Sequence, residues 1–184
     1  MKDTKTKFSS LTLSLHWIIA VCFICLLSVG FYMTSYNAFV LYPIHKSIGI
    51  LLFTIIVWRV IWRYINGWPT PVSQYPLLER FLAKVVHWLL IIGILLMPIS
   101  GMLMSAASGH GLFVFGLELF PANFDSTGKI APIAANMGEL GETLHGTGAN
   151  IMVAAISLHV LGALKHHFID KDGTLSRMLG KKIQ

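Results

Sequence analysis

The sequence predicts an all-α integral membrane protein, an up-and-down four-helix bundle forming one domain over residues 1–184. Three observations lead there. Hydrophobic residues make up 55% of the chain and charged residues only 12%, about half the charged share of a soluble domain. Four apolar runs of about 20 residues, each long enough for a hydrocarbon core of about 30 Å, alternate with polar or Pro- and Gly-containing stretches. Basic residues flank these runs and form no patch interleaved with aromatics. The formal charge of +6 therefore reads as membrane topology and excludes nucleic-acid binding.

Residues 1–10 (MKDTKTKFSS) are polar and basic. The first span, 11–33, has no formally charged residue. It is too long for the apolar region of a signal peptide and carries His16 and Trp17, so it reads as a retained helix. Cys22 and Cys25 lie within it and read as small buried hydrophobes. There is no C-x-x-C-H, so any haem is held without thioether attachment. A short loop, TSYNAFVLYP, leads to the second span, 44–64, with Arg59 and Arg63 near its end. Pro69, Pro71 and Pro76 prevent a continuous helix through 65–82. The third span covers 83–106. A Gly-rich, mildly acidic loop follows over 107–143, with a short amphipathic turn expected at LFVFGLELF. The fourth span is 144–167, and the tail is polar and basic. Twelve of the 14 Lys and Arg lie at the N-terminus, in 59–84 and at the C-terminal end. That asymmetry puts both termini in the cytoplasm.

The fourth span holds four of the eight histidines. His145 and His159 are 14 residues apart, which at ~100° and ~1.5 Å per residue brings them to within about 40° of one face and separates them by roughly 21 Å. Polar groups buried in lipid are costly and usually functional. The spacing thus predicts a helix that ligates two stacked b-type haems, one near each side of the membrane. The alternating helix directions assign the other histidines a depth. His45 joins His145 at the periplasmic level, and two of His16, His87 and His159 form the cytoplasmic pair. Spacing does not choose between His16 and His87, each of which is followed by Trp. Two axial imidazoles leave iron no open site, which favours electron transfer over oxygen activation. The other nitrogen of each ring needs an acceptor, such as a carbonyl one turn back.

The interval of 14 recurs from His16 to Gly30, from His45 to Arg59 and from His87 to Gly101. A glycine facing a haem plane leaves room for the macrocycle, and Gly49, one turn after His45, does the same locally. Arg59 is suited to the propionates of the cytoplasmic-side haem, because a guanidinium binds carboxylates bidentately. Arg63 reads as a snorkelling anchor, Lys46 as a group able to meet a propionate or an anionic reactant, and His110 as solvated. At the cytoplasmic end, where His166 and His167 close the fourth span, His87, His166, Arg80 and Ser14 are the polar groups available to a quinone. Histidine can both hold a carbonyl and pass a proton near neutral pH. The expected partners are the lipid bilayer, a quinone and a periplasmic-side electron donor, with a homodimer mate or partner subunit left open. Two rival readings use the same histidines: a haem-bearing membrane anchor subunit of a larger dehydrogenase or hydrogenase, and a haem-free transporter. The spacing argues against the transporter, whose metal ligands must converge within a few ångströms.

Several stretches resemble the bacterial di-haem cytochrome b-561 family, which includes superoxide:ubiquinone oxidoreductases. They are SLHW at 14–17, IHKSIGILL at 44–52 with WR at 58–59, HWLLIIGILLMPISGMLMS at 87–105, and LHV with LKHHFIDKDGTLSRML over 158–179. The family is similar in turn to the cytochrome b subunits of hydrogenases and formate dehydrogenases, in which the haem ligands come from helices 1, 2 and 4. The resemblance implies His16 with His159 on the cytoplasmic side and His45 with His145 on the periplasmic side, with His87 left for the quinone. It implies electron passage between the periplasmic surface and ubiquinone. One departure stands out. Superoxide-oxidising members present several arginines in the first outer loop, whereas TSYNAFVLYP has no basic residue. The outer segments set Lys46 and Lys129 against Glu118, Asp125, Glu139 and Glu142. Steering of an anion to this face is weak or adverse.

Overall fold

Four long helices carry the chain back and forth in the computed structural model, which describes residues 3–183. They are α1 (Ser10–Tyr36), α2 (Tyr42–Asn66), α3 (Leu77–Ala107) and α4 (Ala135–Phe168). Each is long and apolar enough to cross a membrane. A short helix, α5 (Thr174–Met178), follows α4, and a two-stranded antiparallel hairpin, β1 (Leu112–Val114) with β2 (Leu117–Phe120), lies between α3 and α4. One end of the bundle thus carries the hairpin, and the other carries α5 and both termini.

Local chemistry sets the helix ends. Ser9 caps α1 by accepting from the amide of Thr12 at 3.2 Å, and Asn37 closes it in the left-handed region at φ 52°. Pro43 sits in the first turn of α2, where a missing amide hydrogen costs nothing. Pro76 stands immediately before α3.

Two boundaries differ from expectation. Helix α3 starts at Leu77, because nothing after Pro76 breaks the pattern. Helix α4 starts at Ala135, inside a stretch read as loop. Its glycines and acids look loop-like, but Gly138 and Gly141 are buried and bring α4 against α3. A Cβ on Gly141 would lie 2.6 Å from the Met104 amide nitrogen, so only glycine permits this approach. Gly141→Ala is expected to force the helices apart and cost about 1–3 kcal/mol, read as a lower melting temperature in detergent. The turn expected at LFVFGLELF is the hairpin. It is tied to α2 through the buried Ser47, whose hydroxyl accepts from the Phe115 amide at 2.9 Å and donates to the Pro43 carbonyl at 2.7 Å.

The buried core is a plug at mid-height: Ile19 and Phe23 of α1, Leu52 and Ile56 of α2, Met97 of α3 and Met152 of α4. Met152 lies midway between His145 and His159 and fits a notch at Gly93, where a Cβ would overlap its sulfur. Outside the plug, apolar side chains such as Val21, Trp58, Ile61 and Leu161 point outward. In water such a surface would aggregate; in a bilayer it is the solvated face. Cys22 packs against the plug, but Cys25 is exposed on this outer face and not buried as expected.

A clasp closes the terminal end. Arg177 of α5 is buried, donates to the carbonyls of Lys5 at 2.8 Å and Thr70 at 3.1–3.2 Å, and stacks 4.4 Å from the Phe8 ring centre. Trp17 donates to the Met178 carbonyl at 2.9 Å. The Asp3 carboxylate accepts from the Ser9 amide at 2.9 Å, from the Thr12 hydroxyl at 2.8 Å and from Arg63 at 2.9 Å. Burial pushes this carboxyl up, but the hydrogen bonds from Ser9, Thr12 and Arg63 outweigh it and hold the group below its ordinary 3.8. A lowered value means the stabilisation is present above the ordinary carboxylate range and fades as pH falls through the folded-state value. Asp3→Asn is therefore expected to melt earlier than wild type near neutral pH. The difference should vanish in acid below the ordinary 3.8, as a pH series of melting curves would show.

Candidate haem site

Opposed imidazoles lie on either side of the apolar plug. At the hairpin end His45 of α2 faces His145 of α4, with ring centres 6.3 Å apart. At the terminal end His16 of α1 faces His159 of α4 at 6.4 Å. His87 of α3 also reaches His159, at 5.3 Å. A metal–imidazole bond is about 2 Å long, so two rings sharing one iron from opposite sides have centres roughly 6 Å apart. The first two pairs have that separation; the third is about 1 Å shorter than the second.

The backbone makes room for these rings. Gly101 leaves α3 bare where His145 lies against it: a Cβ there would sit 3.1 Å from Cε1 and 3.2 Å from Nδ1 of the ring. Gly30 does the same for His45, at 3.5 Å from Cε1. Each glycine thus clears an imidazole of a neighbouring helix, where the expectation had it facing a porphyrin plane. At Gly49 a Cβ would meet nothing within 4 Å.

His145 Nδ1 donates to the Met97 carbonyl at 2.9 Å and lies 3.2 Å from the Ser100 hydroxyl. The acceptor is on α3, and not one turn back along α4 as expected. The carbonyl is reachable because Gly101, one turn on, has no side chain. With Nδ1 carrying the proton, Nε2 is left as a free donor to a metal. His87 Nδ1 does use a carbonyl one turn back, that of Ala83 at 2.6 Å. His45 Nδ1 is buried without a hydrogen-bond partner, a cost retained where a ring has another task. Four imidazoles in two opposed pairs, with one tautomer fixed, are a donor set that fits axial ligation of two haem irons.

Arg59 lines a small cavity with Thr12, Leu15, Trp62 and Arg63 beside the His16 level. Lys46 donates to the Ser105 hydroxyl at 2.9 Å, and so is engaged inside the protein. His110 is exposed. The four residues proposed for a quinone are spread out. Ser14 is exposed on α1, His87 stands beside His159, Arg80 lines a cavity with Tyr75, and His166 sits in a cluster of carboxylates. That cluster was not foreseen. His166 Nε2 lies 3.6 Å from Glu79, and its Nδ1 lies 2.9 Å from Asp170 and 3.0 Å from Asp172. Lys165 bonds both Glu79 and Asp170. Donor atoms of Glu79, His166 and Asp170 converge within 4.8 Å, but the two carboxylates already share the Lys165 ammonium. The distinctive run KHHFIDKDGTL carried the signal; its partner Glu79 comes from a segment read as loop.

The model of the family described as prokaryotic cytochrome b561 matches residues 7–181. Cytochrome b561 homolog 2 of Escherichia coli (strain K12) is 35% identical, over 97% of this chain and 94% of that protein. The probable superoxide oxidase CybB of Yersinia pestis is 30% identical, over 96% and 97%. Cytochrome b561 homolog 1 of E. coli (strain K12) is 27% identical, over 96% and 98%. The chain belongs to the prokaryotic cytochrome b561 family, bacterial membrane helical bundles that bind b-type haem and transfer electrons.

Proposed function

We propose that the protein holds two b-type haems, ligated by His45 with His145 and by His16 with His159. It passes single electrons between a donor at the hairpin face and a quinone near the opposite face. Excess Lys and Arg at the terminal end support placing both termini in the cytoplasm of an inner membrane. The observation that carries the reading is the pair of ring-centre separations, 6.3 and 6.4 Å. When bound, haem supplies a one-electron centre. The four imidazoles would hold it, at two levels that the helix repeat sets about 21 Å apart along α4. Family membership sets aside the haem-free transporter.

A similar protein is named as a probable superoxide oxidase, yet the hairpin end of this chain bears more carboxylates than amines, and Lys46 is hydrogen-bonded to Ser105. A neutral or cationic donor suits this surface better than a small anion. A pyridine haemochrome assay with protein quantitation is expected to give two haems per chain, and ubiquinol is expected to reduce them. A ratio of one, or haems inert to quinol, overturns the reading. Purification as a single chain that still reacts with quinone would also exclude an obligatory anchor role for a larger dehydrogenase.

A further inference from the structure

We infer that Arg59 pairs with a propionate of the terminal-side haem and raises that site's affinity for an electron above that of the hairpin-side site. Electrons then run from the hairpin end to the terminal end. The inference rests on the two-haem reading above and adds the order of the two potentials. Arg59 stands to His45 on α2 as His159 stands to His145 on α4. It is 14 residues on, hence near the same face and about 21 Å further along. That places it at the level of His16 and His159, within electrostatic reach of both rings.

The polar groups around Arg59 are engaged with one another. It lines a small cavity with Thr12, Leu15, Trp62 and Arg63. Trp62 Nε1 donates to the Thr12 hydroxyl at 2.8 Å, and that hydroxyl donates to Asp3 at 2.8 Å. Arg63 donates to the same carboxylate at 2.9 Å. Among the described residues, Arg59 has neither a hydrogen-bond nor an ion-pair partner. The charged group that bears on it most is Arg63, another cation. A guanidinium without a counter-ion inside a spanning segment is costly and marks a functional position. Its planar fork matches a carboxylate, and haem carries carboxylates of its own. Asp3 keeps Arg63 occupied, so the open guanidinium is that of Arg59.

The hairpin end has the opposite character. Lys46, next to His45, turns its ammonium to Ser105 at 2.9 Å. Ser105 lies one turn of α3 past Gly101, the residue that faces His145, toward the hairpin. Glu142 precedes His145 by three residues, less than one turn. It is exposed at that end, as are Glu118, Asp125 and Glu139. Reduction of a haem iron removes one positive charge from the site. A fixed cation beside one site therefore favours reduction by a different amount from carboxylates beside the other, and with the opposite sign. Water and salt screen the exposed carboxylates. Arg59 is half-buried, so it supplies the larger share of the difference. When one electron passes between the levels, the hairpin-side iron is oxidised and the terminal-side iron reduced. No bond or proton changes hands.

The test is an anaerobic redox titration of the purified holoprotein, followed in the haem α-band. His145→Ala and His16→Ala proteins tell the two sites apart. Wild type is expected to show two midpoints, the higher one present in His145→Ala and missing from His16→Ala. Arg59→Gln is expected to lower the higher midpoint by at least about 59 mV, a tenfold loss of electron preference in a one-electron couple. The lower midpoint should stay in place. Arg59→Lys, which keeps the charge but not the fork, should keep most of the higher midpoint and shift the propionate bending band in resonance Raman spectra. If Arg59→Gln sheds the terminal-side haem, Arg59→Lys carries the test, and an unshifted propionate band overturns the pairing. A higher midpoint at the His45 and His145 site overturns the inference. So do midpoints that Arg59→Gln leaves in place or shifts equally. Each of these leaves two haems per chain intact; a wild-type ratio of one overturns the two-haem reading as well.

Discussion

His145→Ala is expected to halve the haem content, from two per chain to one, and to leave the remaining haem with an unchanged reduced spectrum. The ring it removes faces His45 at 6.3 Å. Among the described residues, no third histidine ring stacks against this pair. Loss of one axial nitrogen removes half of the protein's hold on that iron. The second level is buffered from the change by distance, about 21 Å along α4, and by the packed plug of Ile56 and Met152, each only 1% exposed. His45→Ala should give the same result, and His159→Ala should remove the other haem. Pyridine haemochrome ratios and difference spectra at low temperature would read each loss. A His145 variant that keeps two haems, or loses both, contradicts the two-level arrangement.

His16→Ala should remove the terminal-side haem, whereas His87→Ala should keep it. Both rings approach His159, and both have the polarity of a ligand. The Nδ1 of His87 is even satisfied by the Ala83 carbonyl at 2.6 Å, leaving its Nε2 free. The separations distinguish them. The His16 ring centre stands 6.4 Å from that of His159 and the His87 ring centre 5.3 Å, and two rings on opposite sides of one iron need roughly 6 Å. His87 is also exposed on the bundle surface, in keeping with contact to lipid-borne molecules. Haem-to-protein ratios of one for His16→Ala and two for His87→Ala are the expected outcome. The reverse pattern would exchange their roles.

The broad architecture was legible because membrane physics is blunt. A run of about 20 apolar residues has few alternatives to a spanning helix. The stacking of His145 over His159 was legible because an α-helix repeats at a fixed angle and rise. The hairpin was not, since LFVFGLELF has the period of neither a clear helix nor a clear strand, and its anchor, Ser47, lies far away on α2. The early start of α4 was hidden because Gly138 and Gly141 look like loop residues until α3 is set against them. Glycine roles split in the same way. The 14-residue intervals placed Gly30 and Gly101 at the right height, but only the packed helices show an imidazole edge lying against each.

By itself, the amino-acid order determined four apolar helices and two tiers of imidazole, because both follow from local periodicity and from the cost of burying charge in hydrocarbon. Tertiary packing decided which ring meets which. It also decided that Met97 supplies the acceptor for His145, and that His166 lies among Glu79, Asp170 and Asp172. Those pairings depend on how far apart helix axes stand and how each is rotated, and the close approaches at Gly93, Gly101 and Gly141 set both.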